Sequence, residues 1–227
     1  MTRMSTLLLT TTALLLAVAA APAHALKPFT AQYEASFKGI SAGGSMSLAQ
    51  QGNRWTYSMG IRNAMANLSQ ATVFEDAAGR YRPLGGSDRS TYLMKTRSVV
   101  TQYNWKGLQA RWTGDVKPQR AGPVAMQPGD MDALLVNLAL VRDVGFGRTS
   151  MNYRLLENGK AKPMTYRVAG REKITVGGRA LDTTKVVQSA GGKQTTAWIA
   201  SGVPTPVRIV QREDGSEVFR LQLTSWR

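Results

Sequence analysis

The sequence predicts a mainly β fold, an antiparallel meander of about ten to twelve strands that forms a curved sheet, an open barrel or a sandwich. Three observations lead to this prediction. Apolar and polar residues alternate with a period of two in many short segments, and glycine-rich turns separate these segments about every 8–12 residues. One apolar segment, at about residues 130–142, has the composition of a buried helix and is expected to pack against the sheet.

The clearest strand begins at Phe29. Apolar residues at alternate positions from Phe29 to Phe37 are separated by more polar ones, which places one face in a core and the other in water. Turns at Gly43-Gly44 and at residues 51–53 lead into further alternating segments, of which Trp55–Arg62 is the longest. Because short glycine-containing turns join neighbouring antiparallel strands, these segments predict a meander.

Strand-like segments continue through the middle and the last third of the chain, where Asn158-Gly159 is a strong hairpin turn. Residues 114–129 contain three prolines and three glycines, which predict a connector. The segment from Ser90 to Trp105 is expected to form one long or bent strand. The other predicted strands are Gln70–Glu75, Leu108–Trp112, Ser150–Leu156, Met164–Val168, Leu181–Val187, Thr195–Ile199, Val207–Val210 and Phe219–Thr224.

The predicted helix has its body between Met131 and Val141. Asp130 is the expected N-cap, and Asp132 lies in the first turn, where the helix dipole favours a carboxylate. Apolar residues cover nearly every face of this helix, which is typical of a buried one. Asn137 is the lone polar residue in its middle.

Residues 1–25 are predicted to be an export signal. Arg3 precedes an apolar run too short for a stable membrane span, and Ala23-His24-Ala25 is a small-x-small cleavage site. Cleavage after Ala25 leaves residues 26–227 as a single β-rich domain. We expect this domain to be soluble in the periplasm, because no cysteine follows for lipid attachment and no second long apolar run follows for a transmembrane span.

The residue inventory excludes most catalytic chemistries. The chain has no cysteine, and its single histidine, His24, lies inside the predicted signal, so neither a Ser-His-Asp triad nor an ordinary zinc site is expected. Helical rise puts Asp132 about 16 Å from Asp143, farther than the roughly 5–10 Å that paired carboxylates need for glycoside cleavage. We therefore expect a chain that is not an enzyme, with no catalytic residue, cofactor or metal site.

Positive charge predominates, with 29 Lys and Arg against 14 Asp and Glu and a formal net charge of +15. It concentrates in residues 78–120, with a net charge of +7, and in residues 144–212, with +9. Such a field favours anionic partners. Because export separates the chain from nucleic acid, we expect lipid, lipopolysaccharide or another envelope component as partner and no nucleic acid. A solvated basic surface without a ligand is the simpler alternative.

Five residues are candidates for ligand contact or for a structural role, namely Trp55, Asp132, Asn137, Arg142 and Trp198. The tryptophans lie in strand-like segments, where aromatic residues either fill the core or line a cavity for an apolar ligand. The other three belong to the predicted helix. The sequence is compatible with both a filled and a hollow interior.

Several short motifs, in order along the chain, resemble an exported bacterial family, the domain of unknown function 3108. They include the strand Phe29-x-Ala31-x-Tyr33, the helix from Asp132 to Val144, and Trp198-Ile199-Ala200. The remaining motifs are Gly43-Gly44, Gly170-Arg171-Glu172, Gly178, Thr184-Lys185-Val186, Pro206-Val207-Arg208-Ile209 and Asp214-Gly215. The resemblance implies a signal-bearing periplasmic protein with an antiparallel β fold, and it supplies no catalytic residues. In layout the chain is also similar to periplasmic lipoprotein carriers, where a curved sheet wraps helices and shelters lipid.

Together these observations favour a non-enzymatic periplasmic envelope protein that binds an apolar or anionic amphiphilic ligand, such as lipid, within a curved sheet. A structural or partner-binding module with a filled core and no ligand is the alternative. A small outer-membrane barrel is a third and less favoured interpretation, because an apolar helix and a Pro/Gly connector interrupt the alternating strands that this class requires.

Overall fold

The computed structural model describes residues 26–77 and 79–227, and within them one fifteen-stranded sheet curves around a single α-helix. The predicted mainly β architecture with one helix is confirmed, and of the three predicted forms the sheet adopts the curved, non-closed one. The expected ten to twelve strands are too few. The predicted export signal and its cleavage site lie outside the described residues.

The elements follow one another with short connections. The strands are β1 (Phe29–Phe37), β2 (Ile40–Gln51), β3 (Arg54–Arg62), β4 (Ala66–Ala77), β5 (Arg80–Tyr92), β6 (Lys95–Asn104), β7 (Gln109–Gly114), β8 (Val124–Ala125), β9 (Asp130–Met131), β10 (Ser150–Glu157), β11 (Lys160–Val176), β12 (Arg179–Ala190), β13 (Lys193–Ala200), β14 (Arg208–Glu213) and β15 (Ser216–Trp226). Helix α1 spans Ala133–Gly145, and a 3-10 turn spans Pro118–Arg120.

The first and last strands of the chain pair at the centre of the sheet. Strands β1 to β8 extend from this centre to one side in chain order, and β15 to β9 extend to the other. The central pairing is antiparallel, with Ala31 opposite Trp226 and Phe37 opposite Phe219. All other pairings are antiparallel as well, except the short parallel contact between β9 and β10. The sheet therefore consists of two meanders joined by β1 and β15.

Two local predictions about turns are wrong. The expected Gly43-Gly44 turn lies inside β2, where a Cβ on Gly44 would come within 3.1 Å of the Tyr33 Cβ. The glycine here allows two strands to approach closely, and the chain turns earlier, at Lys38-Gly39. The expected long strand from Ser90 to Trp105 is a hairpin that turns at Leu93-Met94, two apolar residues that carry no turn signal.

Helix α1 is shifted by three residues at each end relative to the predicted range of about 130–142. Its N-cap is Asp132, whose Oδ1 accepts a hydrogen bond from the Leu135 amide at 2.9 Å. The prediction of Asp130 as N-cap is wrong. Asp130 lies in β9, where its buried carboxylate pairs with Arg154 and accepts a hydrogen bond from the Gln127 amide at 2.8 Å. Each aspartate accepts a hydrogen bond from a nearby backbone amide, so an error of two residues in the N-cap is easily made from sequence.

Helix α1 fills the concave side of the sheet. Its packing partners are strands of both meanders, β3, β4 and β5 on one side and β10 and β13 on the other. Six of its residues are buried apolar ones, Leu134, Leu135, Val136, Leu138, Ala139 and Leu140. The inward faces of the strands contribute the rest of this core, as the period-two alternation predicts.

The two open ends of the curved sheet differ. One end carries the hairpin loops at residues 38–39, 93–94, 191–192 and 214–215, and we call it the tip end. The mouth end is the opposite one, where β1 begins at Phe29, β15 ends at Trp226, and the loop of residues 201–207 joins β13 to β14. The C-terminal part of α1 lies at the mouth end, beside Phe29 and Tyr81.

Truncating a fully buried helix residue tests whether α1 holds the fold together. We expect Leu140→Ala to lower the free energy of unfolding by about 2–5 kcal/mol, because it leaves a cavity between α1 and the sheet. The same change at Leu108, which is 46% exposed, is expected to cost no more than about 0.5 kcal/mol. Urea denaturation followed by tryptophan fluorescence measures both. Equal losses in the two variants would contradict this account of the core.

Candidate ligand-binding cleft

A cleft of about 640 Å³ opens at the mouth end, beside the C-terminal half of α1. Its volume lies within the range of about 300–1,000 Å³ that is common for small-molecule sites. Apolar side chains form most of its wall: Leu26, Phe29, Leu48, Leu138, Val141, Val144, Ile199, Val203 and Pro204. The helix, β1 and the segment before it, β2, β13 and the 201–207 loop supply these side chains. The interior beside the helix is therefore partly open and apolar.

A buried hydrogen-bond cluster holds the 201–207 loop in place. The Tyr33 hydroxyl donates to the Pro206 carbonyl oxygen at 2.8 Å and lies 2.8 Å from the Thr205 Oγ1. The Tyr57 hydroxyl lies 3.4 Å from the same Oγ1 and contacts the Met46 sulfur at 3.2 Å. Burial raises the pKa of Tyr57 to about 12, so its hydroxyl stays protonated. The cluster ties the loop to β1 and β3, and the cleft wall is therefore preformed.

Arg142 contributes a fixed cation to the cleft. Its guanidinium lies 4.8 Å from the centre of the Tyr81 ring, donates to the Gly79 carbonyl oxygen, and donates to the Asp143 Oδ1 at 2.8 Å. Asp143 is buried and also accepts a hydrogen bond from the Tyr153 hydroxyl at 2.8 Å. Burial, reinforced by the Asp143 charge, raises the pKa of Tyr153, which keeps this hydroxyl a donor. Asp143 thus balances the charge of Arg142 and fixes its position.

Two exposed cations, Lys27 and Arg171, also line the cleft. Arg171 is opposite Thr184 in the β11–β12 pairing, and Thr184 is opposite Ile199 in the β12–β13 pairing, so the three share one face of the sheet. Asp182 is the sole acidic residue among the described cleft residues, and it pairs with Lys173 at 2.7 Å. The entrance is therefore positively charged, which favours an anionic group there.

The structure brings one of the five sequence candidates into the cleft, namely Arg142. Trp55 is a buried core residue on β3, and Asn137 is half-buried on α1. Neither contributes to the cleft walls among the described residues. Trp198 and Asp132 also lie outside the cleft, and the contacts of each residue indicate a structural role.

Trp198 packs on the opposite face of β13 from Ile199. Its Nε1 donates to the Glu172 Oε2 at 2.8 Å, and its ring lies under the Lys185 ammonium at 5.6 Å and the Arg208 guanidinium at 5.3 Å. The indole is buried although it faces outward, because these long polar side chains cover it. This tryptophan therefore stabilises the outer surface of the sheet.

Asp132 lines a smaller cavity of about 100 Å³ near the N-terminus of α1. The Thr72 hydroxyl donates to its Oδ2 at 2.6 Å, and the Tyr103 hydroxyl lies 3.5 Å from the same oxygen. Although the residue keeps some exposed surface, surrounding protein atoms raise the pKa of its carboxyl, and the hydrogen bonds from Thr72 and from the Leu135 amide oppose that rise. The described residues contain no cluster of three or more acidic, histidine or cysteine side chains arranged for a metal ion.

Sequence reasoning missed Arg171, Ile199 and the 201–207 loop as parts of one site. They are brought together by strand register and by the Tyr33–Thr205 contact, which joins residues 172 positions apart in sequence. One signal was present. The segment from Gly202 to Val207 holds two valines and two prolines where a surface loop is usually polar.

Comparison with known proteins adds a family. The family model described as "Protein of unknown function (DUF3108)" matches residues 32–224. The chain belongs to this family. The match confirms the resemblance that the sequence motifs indicate, and it extends from β1 through β15. A search of curated proteins finds no match. Within the described residues, no helix of this DUF3108 protein has the length and hydrophobicity needed to cross a membrane.

The raised pKa of Asp132 predicts a pH dependence of stability. Its folded-state pKa lies above 3.8, so the folded chain binds this proton more tightly than the unfolded chain does, and stability from this group increases as the pH falls through that pKa. In Asp132→Asn the cap oxygen remains but cannot ionise. We expect the free energy of unfolding of the wild type to increase relative to that of the variant when the pH is lowered from about 7 to about 4.5.

Urea denaturation at the two pH values measures this difference. Asp182→Asn, at an aspartate whose side chain is 80% exposed, is the matched control and is expected to show no such change. Parallel stability curves for wild type and Asp132→Asn would contradict a raised pKa at the helix cap.

Proposed function

We propose that this DUF3108 protein is a non-enzymatic envelope protein that binds an anionic amphiphile, such as a lipid or a lipopolysaccharide component, in the mouth-end cleft. The observation that carries the proposal is the combination, in one cleft of about 640 Å³, of an apolar wall with exposed cations at the entrance. An acyl chain fits the wall, and an acidic headgroup fits the entrance beside Arg171 and Lys27.

The energetics favour such a ligand over a purely polar one. Each methylene transferred from water to an apolar wall contributes about 0.8 kcal/mol, so eight buried methylenes would contribute roughly 6 kcal/mol. A cation near a lipid headgroup contributes about 1 kcal/mol. The apolar wall would therefore supply most of the affinity, and the charge at the entrance would select anionic headgroups and set their orientation.

Binding rather than catalysis accords with the side chains around the cleft. The acidic groups nearest to it, Asp143 and Asp182, are both engaged in ion pairs. Asp143 is buried and accepts hydrogen bonds from Arg142 and Tyr153. Residues 26–227 also contain neither histidine nor cysteine. No pair of groups in this arrangement is set up as a nucleophile and its base.

A partner-binding module without a small ligand is the second candidate. The cluster of Trp198, Glu172, Lys185 and Arg208 on the outer face of β11 to β14 favours it, because aromatic and arginine side chains are enriched at protein interfaces. In that case the cleft would remain solvent-filled, and material extracted from the purified protein would contain no lipid.

Reversing the charge at the entrance tests the lipid proposal. We expect Arg171→Glu to lower the amount of anionic lipid that co-purifies with the protein about tenfold, because an attractive headgroup contact becomes repulsive. Organic extraction followed by lipid mass spectrometry measures it. Arg167→Glu makes the same change on the same strand, but Arg167 faces away from the cleft side and is exposed, so lipid content is expected to stay at the wild-type level.

Lipid-free wild-type protein, or equal loss in both variants, would contradict the proposal. The first result would favour the partner-binding module. The second would show that overall charge, rather than the cleft entrance, governs lipid association.

The periplasmic location is part of the same proposal and has its own test. We expect the whole chain, expressed in a Gram-negative host, to be recovered from the periplasmic fraction with Leu26 as its first residue. Intact-mass measurement and N-terminal peptide mapping check the cleavage after Ala25. A chain recovered in the cytoplasm with residues 1–25 retained would contradict the export proposal.

A further inference from the structure

The tip end carries an apolar hairpin loop that the fold does not explain. Leu93 and Met94 form the two-residue loop between β5 and β6, and they are 64% and 98% exposed. Leu93 adopts a positive φ of 54°, a conformation that costs a branched side chain energy and favours glycine or asparagine. Other two-residue loops of the sheet contain glycine, for example Lys38-Gly39 and Asp214-Gly215. The loop therefore exposes two apolar residues at a position where glycine and a polar residue would make a more stable turn.

Neighbouring hairpins place further exposed apolar residues at the same end of the sheet. The Leu93 amide donates to the Met65 carbonyl oxygen at 2.8 Å, which joins the β5–β6 loop to the β3–β4 loop. Asn63 Nδ2 donates to the Ser41 carbonyl oxygen at 3.3 Å, which joins that loop in turn to the start of β2. The exposed large apolar residues of these loops and of the strand ends directly beside them form what we call the tip patch: Phe37, Ile40, Met65, Tyr92, Leu93 and Met94.

Cations flank the tip patch. Arg62 ends β3, Arg89 lies near the end of β5, and Lys95 follows Met94 directly. All three are exposed, and none takes part in an ion pair within the described residues. Exposed apolar side chains at hairpin loops, with unpaired cations on the adjoining strands, match the interface of an anionic bilayer, where the apolar groups enter the acyl boundary and the cations contact headgroups.

We propose that the tip patch docks the protein on an anionic lipid bilayer, with Leu93 and Met94 inserted. The shape favours a bilayer over a protein partner, because the pair protrudes at the apex of a hairpin instead of lining a groove. Docking in this orientation leaves the mouth-end cleft in water, at the opposite end of the sheet. The inference rests on the tip end alone and does not require the cleft to hold a ligand.

Vesicle flotation of the protein purified from expression of the whole chain tests the proposal. We expect the wild type to float with phosphatidylglycerol–phosphatidylethanolamine vesicles and to stay in solution with phosphatidylcholine vesicles. The double variant Leu93→Asn, Met94→Gly places favoured turn residues in the loop, so it preserves the fold. It is expected to lower the partition coefficient at least tenfold. Lys95→Gln with Arg62→Gln is expected to lower it about threefold to tenfold.

The matched control is Leu108→Asn with Lys106→Gln. Leu108 is also an exposed leucine with a positive φ, 49°, and lies two residues after Lys106 in a hairpin loop, but this loop lies toward the mouth end. The control variant is expected to float as the wild type does. Absence of wild-type flotation, or equal flotation of the loop variant and the wild type, would overturn the proposal. Crosslinking of the tip patch to an envelope protein without vesicle binding would overturn it in favour of a protein partner.

Discussion

The structure depends on the burial of helix α1 inside the curve of the sheet. In the part of the chain that the structure describes, no second sheet covers the concave face of the fifteen strands. An element that is apolar on nearly all sides fills it instead. Contacts from α1 to β3 and β4 on one side and to β10 and β13 on the other connect the meanders across the interior. The β1–β15 pairing connects them along the sheet.

Two aspartates set the position of this helix along the concave face. Asp132 caps its N-terminus and accepts a hydrogen bond from Thr72 on β4, whereas Asp143 near its C-terminus accepts one from Tyr153 on β10. Each carboxylate therefore links one helix end to a different meander. A thirteen-residue helix fixed at both ends covers about 20 Å of the interior, which is less than the longest strands span. The mouth-end cleft and the tip patch are the apolar regions that remain beyond its two ends.

Period-two alternation was sufficient to predict the strands with regular inward and outward faces, such as β1 and β3. It failed where two apolar residues form a turn, as at Leu93-Met94. Leucine and methionine are not typical turn residues, so the sequence alone does not distinguish this pair from residues inside a strand. The helix was predicted from its apolar composition, but the choice between Asp130 and Asp132 as cap depended on Arg154, which pairs with Asp130 from β10. The cleft was not predictable from local sequence. Arg171 and Ile199 meet there only through the register of β11, β12 and β13.

The sheet topology determines where the excess positive charge of the sequence lies on the molecule. Residues 78–120 and 144–212 carry most of it, yet neither segment forms a single basic surface. Each runs back and forth between the two ends, so Arg89 and Lys95 lie near the tip patch while Arg171 lies at the cleft. At about 0.15 M salt, charges farther apart than about 8 Å are largely screened in water. The two groups of cations therefore act as separate local fields, each beside its own apolar surface.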